Sequence, residues 1–383
     1  MPIINQKRLR DYPRLLLVTT WVILVLNILF RHGWVGFFGQ VIGSDFITLY
    51  STGLIYRNNS ALIYDYNEQL RVQQSLIYPT LLPGLNPYIS PPYVAQFYSL
   101  LTFLPLLWAF ALWTGLMLLC VVVATRWMTE NLPQSVRLSG VNFWQFLIIV
   151  LSFFPLIEGL QVGQNHCLTL LLVTALTFFT LSGQGYLAGI SAGLLLYKPQ
   201  LVLGFLIIWL IWKQFKPLAS FAGVALAWGG SFLLNYEYQL FKEYQHFSQV
   251  FLLLPYIVGF PNYLLVTPYG FLTSILPQSM QPPIFWLSQG IFFLSACGLA
   301  YISFCLRQQP MPQRLPAIDL ALRFPFIATP YALVHDLLIL IPGFVLWARY
   351  ESSRSLLYAA IIIYVGAFFL ILAAVLSKIA VVS

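Results

Sequence analysis

Few side chains in this sequence can do chemistry, and their surroundings single them out. Asp45 stands in Gly43-Ser44-Asp45-Phe46, shortly after the first apolar run. A carboxylate at the mouth of an apolar cavity can have a raised pKa and serve as a general base. At a helix start it can instead cap the N-terminus. Lys198, in Tyr197-Lys198-Pro199, sits between two apolar segments. Its ammonium can hold an anionic headgroup or snorkel to an interface. His335-Asp336 interrupts a later apolar run. The imidazole can bind phosphate or be oriented by a carboxylate, or the pair can be a polar helix end. Glu158, Gln161, Gly163, Gln164, Asn165 and His166 form a dense polar run. Amides donate and accept, as sugar hydroxyls require, although an ordinary polar turn has the same composition. Asn86-Pro87-Tyr88 and Pro91-Pro92-Tyr93 make a rigid lead-in to a long span. Their rings offer faces for sugars, or simply shape a turn.

The composition says what must position these groups. Of 383 residues, 19 are Lys or Arg and 11 are Asp or Glu, so 8% are charged while 60% are hydrophobic. A soluble domain carries roughly 25% charge. So little charge cannot cover a water-exposed surface of this size, which excludes a cytosolic enzyme, a nucleic-acid binder and a disordered chain. A polytopic all-α membrane protein remains. The four cysteines lie in apolar stretches without a Cys-x-x-Cys pair, so neither a disulfide framework nor a zinc site is expected. Walker, dinucleotide-binding and His-Glu-x-x-His patterns are absent from the sequence.

Apolar runs long enough to cross a bilayer fall at 15–30, 93–124, 142–157, 165–182, 217–235, 284–306 and 356–376. Two further runs are interrupted, and each reads as two helices meeting at a polar break: 185–197 with 199–212, and 317–330 with 336–348. That makes about eleven spans in a single integral membrane domain, residues 1–383. Irregular backbone at membrane depth is tolerated where it lines a cavity, so the breaks point to one. Gly185, Gly189 and Gly193 form a ridge for close helix approach. With the N-terminus in the cytoplasm, Lys and Arg favour the inner side by about two to one. The outer side then holds the long loops 31–92 and 236–283, the expected cover of the site. Residues 46–57 and 66–78 have helical patterns suited to lying along the membrane surface.

The order of these features resembles the integral membrane glycosyltransferases of family 87, of the GT-C fold class. The series runs Ser44-Asp45-Phe46, Ala61-Leu62-Ile63-Tyr64-Asp65, Pro91-Pro92-Tyr93, Gly163-Gln164-Asn165, Ala192-Gly193-Leu194 before Lys198-Pro199, and His335-Asp336, over roughly residues 15–350. The resemblance implies transfer of a sugar, with mannose the family prior, from a polyprenyl-monophosphate donor at the outer side of the membrane. It assigns Asp45 as general base and His335 to the donor phosphate. Lys198 is a second phosphate ligand by charge alone. Gln164, Asn165, Tyr64 and Asp336 are the expected sugar or acceptor contacts. The family's aromatic-Tyr-Pro-Pro lead-in reads Ile89-Ser90-Pro91-Pro92 here, which puts the role of that aromatic position in doubt.

These expectations agree on one chemistry. Asp45 takes the proton of an acceptor hydroxyl as its oxygen attacks the anomeric carbon, inverting it. His335 and Lys198 stabilise charge growing on the leaving phosphate. The lipid-linked sugar is a substrate, no cofactor is implied, and no carboxylate cluster is arranged for a metal. The partners are the lipid bilayer, the donor, and a glycolipid, polysaccharide or protein acceptor, with no nucleic acid. The implied location is the bacterial inner membrane with an outward-facing site. The mechanism requires Asp45, Lys198 and His335 to line one outward-facing cavity. A transporter or flippase for polyprenyl-linked sugars is the rival from another class, since it too uses broken helices. A non-catalytic scaffold would not need those residues to converge.

Overall fold

The computed structural model describes residues 6–82, 84–131, 142–234, 238–248, 264–329, 332–350, 364 and 366. Among them the architecture is helical, and extended backbone is confined to isolated bridges such as His32 with Val35 and Leu265 with Leu333. Backbone contacts group the chain into two compact units, one of residues 1–123, 147–168 and 225–251, the other of 124–146, 169–224 and 252–383.

The first unit begins with α1 (Gln6–Leu29), the long apolar helix of the first expected span. Its Trp21 indole donates to the Leu151 carbonyl at 3.0 Å. Next come α2 (Ser44–Asn59), α3 (Tyr66–Ile77) and α4 (Pro92–Ser99). The two helical patterns read in the 31–92 loop are thus helices. However, α2 does not lie along a membrane surface. Residues 46–53 and Ile55 are buried, so α2 is enclosed by its own unit on nearly every side. It packs on α3 and α4. Gly53 permits the latter contact, because a Cβ there would stand 2.8 Å from the Ser99 amide. Phe46, Phe110, Trp113 and Tyr98 fill the space beside it with ring centroids 5.1–6.3 Å apart.

Two expected spans differ from the observed helices. The 93–124 run divides into α4, a short 3-10 turn at 100–103, and α5 (Leu106–Glu130). Pro105, which lacks a backbone N–H and restricts the residue before it, ends the first segment. The 142–157 run is likewise two helices, α6 (Phe143–Leu151) and α7 (Phe154–Val162), bent by 59°. Pro155 begins the second, at a position where a missing N–H costs nothing.

The remaining helices are α8 (His166–Leu181), α9 (Gly185–Leu194), α10 (Leu203–Ile211), α11 (Phe215–Leu234), α12 (Tyr238–Ser248), α13 (Pro268–Ile275), α14 (Gln281–Leu306), α15 (Leu315–Ala328) and α16 (Leu340–Tyr350). In the second unit α10 packs on α14 and α15, and α15 on α16. Gly204 meets the Ala321 backbone there. Trp212 donates to the Ser303 carbonyl at 3.0 Å. The glycine ridge does what its spacing suggests: Gly189 lies against Pro217 and Ser220, and Gly193 against Val224. Both interrupted runs break where expected, at 195–201 and between α15 and the 3-10 segment Val334–Ile339. Among the described residues three helices are long and apolar enough to cross a membrane, or four counting the bent α6–α7 pair as one. Residues 166–181, 185–197, 199–211 and 334–348 are shorter apolar helices. The expected span at 356–376 falls outside the described residues except for Tyr364 and Gly366.

Gly163, at the C-terminus of α7, has φ +78° and no room for a side chain, since a Cβ would sit 2.5 Å from that of Phe46. Gly183 has φ +72° but open space around it. Gly163→Ala should therefore cost about 2 kcal/mol or more, against about 1 kcal/mol for Gly183→Ala, where only backbone strain acts. Thermal unfolding of the two variants in detergent compares them, and equal losses would count against the tight α2–α7 contact.

Candidate functional site

Asp45 is the second helical residue of α2, not its cap: Gly43, at φ +69°, occupies the cap position. The alternative of Asp45 as the N-cap is thereby corrected. The Gly43 amide donates to the Gln161 carbonyl at 2.8 Å, tying the start of α2 to the end of α7. Trp113 closes the same corner by donating to the Gly163 carbonyl at 3.1 Å. A carboxylate in the first turn also meets the positive end of the helix dipole.

Two amides orient that carboxylate. Gln164 Nε2 donates to one oxygen at 2.5 Å, and Asn86 Nδ2 to the other at 2.9 Å. Both donors are themselves held. Gln164 Oε1 accepts from the Asn165 amide at 3.3 Å, and the Gln164 amide donates to the Gly159 carbonyl at 2.9 Å. The Asn86 carbonyl accepts from Thr48 Oγ1 at 3.1 Å and from Gln73 Nε2 at 2.9 Å. With one donor on each oxygen, the two amides fix the plane of the carboxylate. Asn86 was absent from the expected site residues. The only signal was its place in Asn86-Pro87-Tyr88, which reads equally well as a turn.

Of the other expected residues in this unit, Asn165 is buried beside Gln164. Tyr64 is buried too, and its hydroxyl donates to the Ser90 carbonyl at 2.8 Å. Its ring lies between those of Tyr88 and Tyr244, at 5.8 and 6.1 Å. Tyr88 donates to the Pro91 carbonyl at 2.6 Å. Burial pushes both phenols above their ordinary range, so they stay neutral donors. Tyr64 thus secures the altered Ser90-Pro91-Pro92 lead-in.

Lys198, His335 and Asp336 belong to the other unit, where they join the two helix breaks. Lys198 follows the 3-10 turn Leu195–Tyr197, and its Nζ donates to Asp336 Oδ1 at 2.6 Å. The other Asp336 oxygen accepts from the Leu333 amide at 3.1 Å. Neither side chain of the pair is more than 16% exposed. His335 is buried in the same turn. Asp336 is therefore the counter-ion of Lys198 and the acceptor that starts its own helix. An ammonium has three donors, and Asp336 engages one.

Apolar helices with polar side chains held at helix breaks define an all-α protein of membrane character. The family model Glycosyltransferase family 87 matches residues 88–330, and the chain belongs to that family. It is accordingly an integral membrane glycosyltransferase that uses a sugar donor and an acceptor. No curated protein and no solved structure matches the chain. The matched stretch contains Gln164, Asn165 and Lys198, whereas Asp45, Tyr64, Asn86, His335 and Asp336 lie outside it.

The Lys198–Asp336 pair makes a stability prediction. Lys198→Met leaves a buried carboxylate without its counter-ion and should cost about 3 kcal/mol. Adding Asp336→Asn removes the stranded charge but keeps an acceptor for the Leu333 amide. The double variant should therefore be more stable than Lys198→Met alone in a thermal-unfolding cycle. Additive losses would mean that the two side chains do not interact.

Proposed function

We propose that this glycosyltransferase moves a sugar from a polyprenyl-monophosphate donor to an envelope acceptor at the outer side of the membrane, inverting the anomeric centre, with Asp45 as general base. The supporting observation is the clamp on Asp45. Its carboxylate starts a buried helix and is oriented through both oxygens by Asn86 and Gln164. A general base must hold its lone pair at a set angle to the hydroxyl it deprotonates, and the two amides orient the Asp45 carboxylate. Asn86 and Gln164 are positioning residues in this reading.

His335 and Lys198 bind the donor phosphate, and Asp336 keeps Lys198 extended. Asn165 remains the polar contact for sugar or acceptor. Mannose is the sugar suggested by the family. Nucleotide sugars are not available outside the cytoplasm, which is why an outward-facing enzyme takes a lipid-linked donor. The reading includes a GT-C fold of about eleven spans, with each half of the two broken runs counted as a span, and the cationic bias of the sequence supports a cytoplasmic N-terminus in a bacterial inner membrane. A transferase of this kind needs no metal, because cationic side chains meet a single phosphate.

Purified protein incubated with labelled polyprenyl-phosphate sugars and extracted envelope lipids should form a labelled product. Asp45→Asn should lower kcat by at least about 100-fold, with donor affinity and thermal stability near wild type. His335→Ala should act chiefly on donor KM. Movement of labelled donor across vesicles without any product would replace the transferase by a flippase, and full activity of Asp45→Asn would remove Asp45 from the base role.

A further inference from the structure

A cavity with mixed polar and apolar walls lies in the first unit, apart from the residues around Asp45. Its volume is about 300 Å³, and Arg31, Gly33, Trp34, Tyr78, Thr80 and Leu107 line it. That is the lower end of ordinary ligand-pocket size. Three of its side chains offer donors: the Arg31 guanidinium, the Trp34 indole N–H and the Tyr78 hydroxyl. Among the described residues none of these three groups has a hydrogen-bond or ion-pair partner within the protein. No carboxylate lines the cavity.

The walls are firmly made. His32 and Val35 pair through both backbone bonds, at 2.8 and 3.1 Å, and the Ile42 amide donates to the Trp34 carbonyl at 2.8 Å. The Trp34 amide donates to Thr80 Oγ1 at 3.2 Å. Gln74 grips the opposite wall, donating to the Thr80 carbonyl at 2.7 Å and accepting from the Leu82 amide at 2.9 Å. Gly33 has φ +62°, and a Cβ there would run into Thr80 Oγ1. The lack of a side chain at residue 33 thus allows the close approach of the two walls.

Position supplies the ligand's character. Arg31 follows the end of α1, and Leu107 lies in the first turn of α5. Both helices are long and apolar enough to cross a membrane, so two spans end at this cavity. Around it Phe30, Tyr78, Leu81, Phe103 and Trp108 are exposed. Exposed aromatics with a cation above them mark the headgroup level of a bilayer. An arginine fork, with an indole N–H and hydroxyls beside it, suits phosphate oxygens.

We propose that this cavity binds a phosphate ester, presented at the membrane surface as the headgroup of an anionic phospholipid. The site is independent of the transfer reaction, and its failure would leave the role of Asp45 untouched. The test uses the full-length protein in detergent, titrated with dioleoyl phosphatidylglycerol and read as lipid retained per protein by native mass spectrometry. Wild type should retain one lipid more tightly than the rest, and Arg31→Gln should weaken that binding about tenfold. Lys216→Gln removes the same charge from the other unit and should leave it unchanged. Inorganic phosphate at millimolar concentration should not displace the lipid. If it does, and binds only when Arg31 is present, the phosphate site stands but the lipid source is overturned. Equal retention by wild type and Arg31→Gln, or equal loss in Lys216→Gln, would overturn the site.

Discussion

Where α7 ends and α2 begins, the Gly43 amide donates to the Gln161 carbonyl, and Gly163 lies against Phe46 with no space between them. Both glycines hold left-handed backbone, which a larger residue would adopt only under strain. The rest of the candidate base site follows from this junction. It brings Gln164, three residues beyond Gln161, to the Asp45 carboxylate, and it sets the first turn of α2 against the loop that carries Asn86. A displacement of one helix turn, 5.4 Å, would take both amides out of hydrogen-bond reach. The placement of the Asp45 carboxylate between its two amides therefore rests on two residues that have no side chain.

The same physics explains the other cluster. A chain with 8% charge has few polar groups available to satisfy one another. When apolar helices break, the freed backbone and any charge nearby need partners inside the protein. Asp336 meets both needs at once, taking the Leu333 amide on one oxygen and Lys198 on the other. The ion pair joins two breaks separated by 138 positions in sequence. Its value lies less in net stability than in holding a cation in one place, since a buried pair gains little over a well-packed apolar one.

Membership of family 87 says that sugar transfer is the chemistry, and the match over residues 88–330 includes Gln164 and Lys198. It does not extend to Asp45 or His335. Their proposed roles come from the resemblance in motif order, and their surroundings in this chain are an oriented carboxylate in the first turn of α2 and a buried imidazole next to the Lys198–Asp336 pair.

The sequence alone determined the class of fold, because hydrophobic composition and span-length runs reflect the solvent a chain lives in, and that needs no tertiary contact. It also located both polar breaks, at Lys198-Pro199 and at His335-Asp336, where polar residues interrupt apolar runs, although Pro325 itself lies inside α15. The glycine ridge at 185–193 was legible as well. The halves of the 93–124 and 142–157 runs were not, although Pro105 and Pro155 were in view, because unbroken hydropathy hides a bend. Nor could periodicity show that α2 is enclosed, as helical spacing looks alike on a surface and in a core. Only the tertiary structure decided that Asp45 is held by Asn86 and Gln164, that Tyr64 braces the Ser90 turn, and that Lys198 answers Asp336. Such pairings join residues 26 to 138 positions apart. They depend on the angles at which helices meet, and those are set by packing.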